Sequence, residues 1–254
     1  MQGEHLKRVD YDAVAPTFDE RYAHHRYSGI ERALTHFIGA AGGVAALEVG
    51  CGTGHWLGHI AALASVIAGV DRSWEMLTRA RETVPSALLL HAAAEHLPIE
   101  SQRFDRIFCI NALHHFTDQL ASLYECRRVL RPGGAFLTIG LDPHTGDDSW
   151  WIYDYFPSAL AADRRRYAPT TRIREILVDV GFSSPRSEVV QHMPAVRPFA
   201  WMLTQGLLER HSTSQLMVIS DAEYEAGMRR LSTEQPTLRS DLRLFGTFAD
   251  VPPS

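Results

Sequence analysis

The chain has 254 residues, of which 45% are hydrophobic and 22% are charged, and its formal net charge is −5. This composition is typical of a globular protein with a sizeable core, and the negative balance excludes the basic surface of a nucleic-acid-binding protein. No apolar run reaches the roughly 20 residues that span a bilayer, and residues 1–5 are too polar for a secretory signal. Three cysteines without a CxxC pair favour a reduced, cytoplasmic protein.

The first half of the chain alternates between strand and helix patterns. Residues 8–40 are predicted to be helical, with aromatic and apolar side chains from Tyr11 to Phe37. Strands are then predicted at residues 44–49, 65–70, 87–90, 104–110 and 135–140, and helices at 55–64, 73–83 and 117–129. This order predicts a doubly wound α/β fold, in which a parallel sheet is covered on both faces and its crossovers are right-handed.

After Gly140 the alternation stops. Residues 142–168 are rich in Asp, Trp, Tyr and Arg and contain no clear strand. The remaining predicted elements are a helix at 170–180 closed by Gly181, a strand at 186–193, a largely helical stretch at 195–232 and a strand at 238–248. The two irregular stretches follow strands five and six, so we expect them near the carboxyl edge of the sheet, where open α/β folds bind ligands.

The turn after the first predicted strand is the most informative feature. Gly50, Gly52 and Gly54 stand at every second position between that strand and a helix. Glycine there allows positive φ and lets a ligand approach the backbone closely. Glu48 adds a carboxylate at the end of the strand, which disfavours a pyrophosphate and favours a ligand with an ammonium group or free hydroxyls.

The pattern Glu48-x-Gly50-x-Gly52-x-Gly54 resembles motif I of the class I S-adenosylmethionine-dependent methyltransferases. Four later segments within residues 44–140 are similar to further motifs of that family, in the same order. They are Asp71 at the end of the second strand, residues 93–98, residues 104–116 and the turn at 131–134. The resemblance is to small-molecule methyltransferases of the ubiquinone- and menaquinone-biosynthesis type. The chain departs from them at Ala93, where they often have an aspartate that meets the adenine amino group.

The resemblance implies a Rossmann-like, mostly parallel sheet of seven strands, with the last strand antiparallel and with helical lid insertions. It implies one methyltransferase domain over residues 1–254. In that domain, residues 1–40 form N-terminal lid helices, residues 41–140 the cofactor-binding core, and residues 141–168 and 195–232 the substrate-cap insertions.

The resemblance also implies S-adenosylmethionine as cofactor and S-adenosylhomocysteine as product. The residues expected to bind the cofactor are Glu48, Gly50, Cys51, Gly52, Gly54, Asp71, Arg72, Met76, Ala94, Glu95, Asn111, Leu113, Tyr22 and Arg26. Asp71 would accept hydrogen bonds from ribose hydroxyls, and its alternative role is to cap the next helix. Met76 either contacts the cofactor or is an ordinary core residue, and Glu95 either contacts it or lies in a solvated loop. For Tyr22 and Arg26 the alternative is simple packing of the lid.

The expected reaction is methyl transfer to an O, N or C atom of a small molecule by in-line displacement. The protein must align donor and acceptor, exclude water and, for a hydroxyl acceptor, provide a general base. His114 and His115 follow the fourth strand, and histidine titrates near neutral pH, so they are the candidate bases. Packing or hydrogen bonding to backbone is the alternative for either ring.

The acceptor site is expected in the two insertions. Aromatic residues at 150–156 and 199–203 either line a site for a flat or apolar acceptor or form the underside of a helical cap. The run Arg164-Arg165-Arg166 either attracts an acidic substrate or lies on a solvated helix face.

Three alternative functions are open on the sequence. A nicotinamide-dependent oxidoreductase is disfavoured by the glycine spacing and because Lys7, the only lysine, leaves no Tyr-x-x-x-Lys pair. A metal enzyme would depend on Asp142, His144 and the Asp147-Asp148 pair, but no H-E-x-x-H or CxxC is present, so we expect no metal. A non-catalytic S-adenosylmethionine-binding protein is the third. We expect no nucleic-acid or membrane partner, and a monomer or a homodimer.

Overall fold

A computed structural model of the chain describes residues 9–39 and 43–253. Residues 1–8 and 40 of the expected N-terminal lid therefore lie outside the described residues. The strands in the described part are β1 (Ala45–Val49), β2 (Val66–Asp71), β3 (Leu88–His91), β4 (Phe104–Ile110), β5 (Leu130–Leu141), β6 (Ser149–Trp150), β7 (Ser183–Pro198) and β8 (Thr237–Asp250).

The helices of the same part are α1 (Tyr11–Val14), α2 (Glu20–His24), α3 (Ser28–Ile38), α4 (His55–Ile60), α5 (Trp74–Thr83), α6 (Gln119–Val129), α7 (Trp151–Tyr155), α8 (Pro157–Arg166), α9 (Thr170–Asp179), α10 (Phe199–Thr204), α11 (Ser214–Val218) and α12 (Asp221–Glu234). Short 3-10 turns lie at Ala15–Thr17, Leu113–His115 and Arg210–Ser212.

The strands form one mixed sheet in the order β3-β2-β1-β4-β5-β8-β6, and β7 also pairs with β8. Strands β1 to β5 pair in parallel, whereas β8 is antiparallel to β5 from Ala135↔Asp250 to Leu141↔Leu244. The predicted Rossmann-like sheet with an antiparallel last strand is thereby confirmed. The described part has eight strands rather than seven, because the two-residue strand β6 is too short to give a periodic signal in the sequence.

Two compact units divide the described residues. The larger comprises residues 11–142, 168–191 and 244–253, and its core includes Leu47, Val49, Ile107 and Phe136. Every residue of β1 is buried, as expected for a central parallel strand covered on both faces. The carboxyl ends of β1, β2 and β4 therefore meet at one edge of the sheet in this unit.

Helix boundaries in the larger unit have local causes. The Ser73 hydroxyl accepts a hydrogen bond from the Met76 N–H and caps α5, and Asp118 caps α6 in the same way through Ala121. Gly181, with φ of +91°, lies just after the end of α9, as predicted. The helical structure predicted at 8–40 is divided, in the described residues, into three helices and a 3-10 turn that contains Pro16.

The smaller unit comprises residues 9–10, 143–167 and 192–243 and has its own hydrophobic core. Trp151, Phe156 and Phe199 are buried in that core, whereas Trp201 is partly exposed. Most of the aromatic cluster noted in the sequence therefore packs inside this unit. The assignment of residues 141–168 and 195–232 to substrate-cap insertions stays a prediction.

A buried polar cluster ties the helices of the smaller unit together. One carboxylate oxygen of the fully buried Asp163 accepts hydrogen bonds from the Tyr153 hydroxyl at 2.8 Å and from Gln215 Nε2 at 3.0 Å. Its other oxygen pairs with Arg166 at 2.5 Å. Of the three consecutive arginines, only Arg164 and Arg165 are exposed. Arg166 therefore does not lie on a solvated helix face.

Candidate cofactor-binding site

The loop between β1 and α4 adopts a conformation that requires its glycines. Gly50, Gly52 and Gly54 have φ values of +78°, +52° and +81°, which L side chains rarely adopt. A Cβ on Gly50 would lie 2.5 Å from the Ala112 Cβ, so the post-β4 loop is already in contact with this backbone. At Gly52 the nearest atom to such a Cβ is a ring carbon of Phe18, 3.7 Å away. The backbone at Gly52 is therefore the least crowded part of the loop.

Asp71 holds the glycine loop against the end of β2. Its Oδ2 accepts the Gly52 N–H at 2.8 Å, and its Oδ1 accepts the Ser73 N–H at 2.9 Å. The N-cap of α5 is thus Ser73 and not Asp71. Burial raises the pKa of Asp71, while these N–H groups act in the opposite direction. Each carboxylate oxygen keeps acceptor capacity for a further donor such as a hydroxyl.

Glu48 is the least satisfied polar group of the site. Its side chain is 1% exposed, and its Oε2 has no hydrogen-bond partner among the described residues. Burial and the charge of Asp71 raise the pKa of Glu48 well above its usual range, although the Leu57 N–H opposes the shift. A buried polar atom without a partner costs free energy, so its presence indicates a place where a ligand supplies the partner.

Buried thiols lie close to this carboxylate but do not provide a nucleophile. Burial and the nearby Glu48 raise the pKa of Cys51 well above its usual range and that of Cys109 to about 12. Both side chains stay protonated at neutral pH and serve as small apolar groups.

The N-terminal segment, defined here as residues 11–27, contacts the glycine loop and the start of α5. Asp12 accepts hydrogen bonds from the Ser73 hydroxyl at 2.5 Å and from the Glu75 N–H at 3.4 Å. Asp19 accepts one from the Thr53 hydroxyl at 2.5 Å. These contacts bring the segment to the loop that the sequence singled out.

Aromatic packing adds to these hydrogen bonds. The ring of Tyr22 stacks on His55, the first residue of α4, with centroids 3.6 Å apart and planes 2° apart. Phe18 and Trp56 meet the same ring edge-on. Burial raises the pKa of Tyr22 far above its usual value, so the phenol stays neutral. Arg26 is exposed, and its carbonyl accepts a hydrogen bond from Gln191 Nε2 at 3.4 Å.

The candidate bases lie on the 3-10 turn that follows β4. Asn111, at the end of β4, has φ of +50°, a value that few non-glycine residues adopt, and its N–H donates to the Ile139 carbonyl. Nε2 of His115 is hydrogen-bonded to the Tyr11 hydroxyl, and the rings of His114 and His115 lie 3.8 Å apart. The turn therefore faces the N-terminal segment.

The other expected cofactor residues differ in their surroundings. Glu95 accepts hydrogen bonds from the Thr117 and Asp118 N–H groups at 2.6 and 3.1 Å, so it anchors the start of α6 rather than lying free in a solvated loop. Met76, Leu113 and Ala94 are buried, and Arg72 is exposed. A cofactor-binding role for each of these residues stays a prediction.

Sequence reasoning missed Thr53 and His55 and assigned no partner to Asp12 or Asp19. The two aspartates lie within residues 1–40, which the resemblance assigns to N-terminal lid helices. Nothing in the spacing indicates that their partners lie in the glycine loop or at the start of α5.

No group of three or more His, Cys, Asp or Glu residues in the described part of the chain is arranged to hold a metal ion. Of the residues considered for such a site, Asp142 accepts the Thr170 N–H, and His144 Nε2 contacts the Tyr167 carbonyl. Among the helices of the described ranges, none is long and apolar enough to cross a membrane.

Residues 47–138 match the family model of a methyltransferase domain, and this span includes the glycine loop, Asp71 and the turn with both histidines. Residues 47–138 thus form a methyltransferase domain, whose motifs resemble those of the class I S-adenosylmethionine-dependent enzymes.

Relatives of known name agree with this methyltransferase assignment. A probable S-adenosylmethionine-dependent methyltransferase of Mycolicibacterium smegmatis is 31% identical over 119 residues, which cover 47% of this chain and 45% of the relative. A demethylmenaquinone methyltransferase of Staphylococcus aureus is 29% identical over 163 residues, which cover 61% of this chain and 68% of the relative. The chain thus matches less than half the length of the first relative.

Solved structures share the fold of this chain. The crystal structure of a putative methyltransferase from an antibiotic biosynthesis pathway of Anabaena variabilis superposes with a TM-score of 0.65. The two chains are 21% identical, and the superposition covers 86% of this chain and 96% of the other. At this identity the likeness establishes the fold alone.

S-adenosylmethionine is the cofactor of this methyltransferase family, and the residues present fit it. Its sulfonium and ammonium groups are cationic, and Glu48 is a buried carboxyl with an oxygen that lacks a hydrogen-bond partner within residues 9–39 and 43–253. Asp71 keeps acceptor capacity for hydroxyls, and Gly52 exposes backbone that a larger residue would cover.

Proposed function

We propose that this protein transfers the methyl group of S-adenosylmethionine to an O, N or C atom of a small-molecule acceptor. The single observation that carries the proposal is the fully buried Glu48 carboxyl beside a glycine loop anchored by Asp71, with one oxygen that has no partner in the described part of the chain. The cofactor supplies a methyl group that its sulfonium already makes electrophilic.

Each part of the site has a proposed task in binding. Glu48 balances the positive charge of the ligand inside the protein. Asp71 accepts hydrogen bonds from the ribose hydroxyls and at the same time fixes the Gly52 backbone. The N-terminal segment, held by Asp12 and Asp19, keeps water from the bound cofactor.

A histidine of the 3-10 turn is proposed to accept the proton of a hydroxyl acceptor. His115 is the better placed candidate, because the Tyr11 hydroxyl holds its ring at Nε2. His114 lies against it and is the second candidate. Separate His114→Ala and His115→Ala variants test this step: full turnover by both at neutral pH would show that neither ring acts as a base.

The acceptor is proposed to be a small molecule, and the relatives suggest where to begin. One relative is named as a demethylmenaquinone methyltransferase, so a quinol is the first compound to test, followed by phenols, acids and amines. We also propose that the protein works as a monomer or a homodimer and does not bind nucleic acid, in line with its net charge of −5.

Calorimetric titration with S-adenosylmethionine, S-adenosylhomocysteine and NADH in parallel tests the proposal. We expect both sulfur ligands to bind and NADH not to bind, and we expect Asp71→Asn to weaken binding of both. Glu82→Gln removes an exposed carboxylate from α5 and is the matched control. Binding of NADH alone would contradict the proposal. Donor binding without S-adenosylhomocysteine formation from any acceptor would instead favour a non-catalytic binding protein.

A further inference from the structure

The surroundings of Glu48 contain acids, weak acids and a backbone donor. Four titratable groups interact electrostatically with Glu48, and they are Asp71 of β2, Cys51 of the glycine loop, Cys109 of β4 and Tyr22 of the N-terminal segment. From α4 the Leu57 N–H opposes the effect of burial. None of these groups carries a positive charge, so no cation among them balances an ionised Glu48.

An unbalanced carboxylate in this position is expensive to ionise. The side chain is 1% exposed, its Oε2 lacks a hydrogen-bond partner among the described residues, and Asp71 is a second carboxylate nearby. Removal from water and like charge both favour the protonated form. In the ligand-free protein, burial and the neighbouring carboxylate therefore raise the pKa of Glu48, which keeps its proton to a higher pH than a solvated glutamate does.

We propose that Glu48 releases its proton when the positively charged methyl donor binds, and that this release makes the site favour S-adenosylmethionine over S-adenosylhomocysteine. The inference rests on the proposed function and adds a basis for selectivity to it. The O–H bond of the Glu48 carboxyl breaks, its electron pair stays on the carboxylate oxygen, and the proton passes to solvent. No redox partner or further reactant takes part.

The two ligands differ by one positive charge. The methyl donor has a sulfonium, whereas the demethylated product has a neutral thioether and otherwise the same charged groups. An ionised Glu48 gains attraction to a cation in a buried site, where screening by water is weak. With the product the gain is smaller, so Glu48 keeps more of its proton.

The direction of the pH dependence follows from this release. A ligand that displaces one proton binds about tenfold more tightly per unit rise in pH. The rise holds between the pKa of Glu48 in the complex and its higher pKa in the free protein, and affinity levels off above the latter. Affinity for the donor therefore increases with pH more steeply than affinity for the product does.

Titration calorimetry in two buffers of different ionisation enthalpy counts the protons directly. At about pH 6–8 we expect wild-type protein to release about one proton on binding S-adenosylmethionine and clearly fewer on binding S-adenosylhomocysteine. Glu48→Gln should abolish the difference between the ligands and flatten the pH dependence, while Glu82→Gln should behave as wild type. The wild-type proton count needs no variant, so it stands even if Glu48→Gln folds poorly.

Three results would overturn the inference. The first is donor binding by wild type with no proton release, which leaves the proposed function intact. The second is loss of the release in Asp71→Asn but not in Glu48→Gln, since the proton would then belong to Asp71. The third is no binding of either sulfur ligand, which would overturn the proposed function as well.

Discussion

The Tyr11 hydroxyl is hydrogen-bonded to Nε2 of His115, and the two rings meet edge-on with centroids 5.0 Å apart. The pair joins the N-terminal segment to the turn after β4, across 104 residues of sequence. The same segment is anchored to the glycine loop through Asp19 and Thr53. The orientation of a candidate base therefore depends on a segment that also covers the proposed cofactor site.

Tyr11→Phe removes the hydroxyl and keeps the ring that packs on Phe18 and His115. If His115 is the base, we expect kcat to fall about tenfold, because a mispositioned base loses part of its contribution. The affinity for S-adenosylhomocysteine should change little. Turnover of an acceptor found in the screen and calorimetry measure the two effects. Unchanged kcat together with an unchanged pH profile would show that the hydroxyl does not position the base.

The central strands and the glycine loop could be predicted because their signals are local. The bounds predicted for β4 coincide with Phe104–Ile110, and Glu48 and Asp71 were identified by their positions at the ends of apolar runs. Alternating strands and helices make such ends converge at one edge of a parallel sheet. The sequence pattern alone was sufficient to place these residues in the fold, and their roles in cofactor binding stay predictions.

The contacts of the N-terminal segment could not be predicted in the same way. Asp19 and Thr53 are 34 residues apart, and Asp12 and Ser73 are 61 apart. No period or spacing connects such pairs, since tertiary packing alone brings them together. The unpartnered oxygen of Glu48 was equally hidden, because the sequence shows that a carboxyl is present but not which donors surround it.

Gly50→Ala should destabilise the larger unit and weaken cofactor binding. The added Cβ would lie 2.5 Å from the Ala112 Cβ, on a backbone with φ of +78°. We expect a loss of about 2–3 kcal/mol in the free energy of unfolding. Gly58→Ala is the matched control, because Gly58 is exposed within α4 and a Cβ there meets nothing closer than 3.5 Å, so it should stabilise by about 0.5 kcal/mol. Equal urea midpoints for the two variants would show that the added Cβ at Gly50 causes no strain.

Asp105→Asn should reduce stability at neutral pH but not in acid. Burial raises the pKa of Asp105, but the Ala45 N–H and the Arg131 guanidinium more than offset it, so the pKa lies below its usual value. A lowered pKa stabilises the fold above the unfolded-state value near pH 4, and this stabilisation is lost as pH falls through the folded-state value. Arg131 is half-exposed and therefore screened, so we expect a loss of only about 1 kcal/mol at pH 7. Urea unfolding of wild type and variant across acidic pH measures the difference. A difference that stayed constant down to the acid limit would show that Asp105 does not act through its charge.

Asp163→Asn should destabilise the smaller unit far more than a surface change of the same kind. Oδ2 of Asp163 accepts from Tyr153 and Gln215, and Oδ1 accepts from Arg166, so donors face both oxygens. An amide has one acceptor oxygen, and its NH₂ would point at one of these donors in a site with no access to water. We expect a loss of about 3 kcal/mol, seen as faster hydrogen exchange in residues 151–166. Asp154→Asn changes an exposed carboxylate on α7 and should stay within about 0.5 kcal/mol of wild type. Similar exchange rates in both variants would mean that the buried cluster does not hold these helices in place.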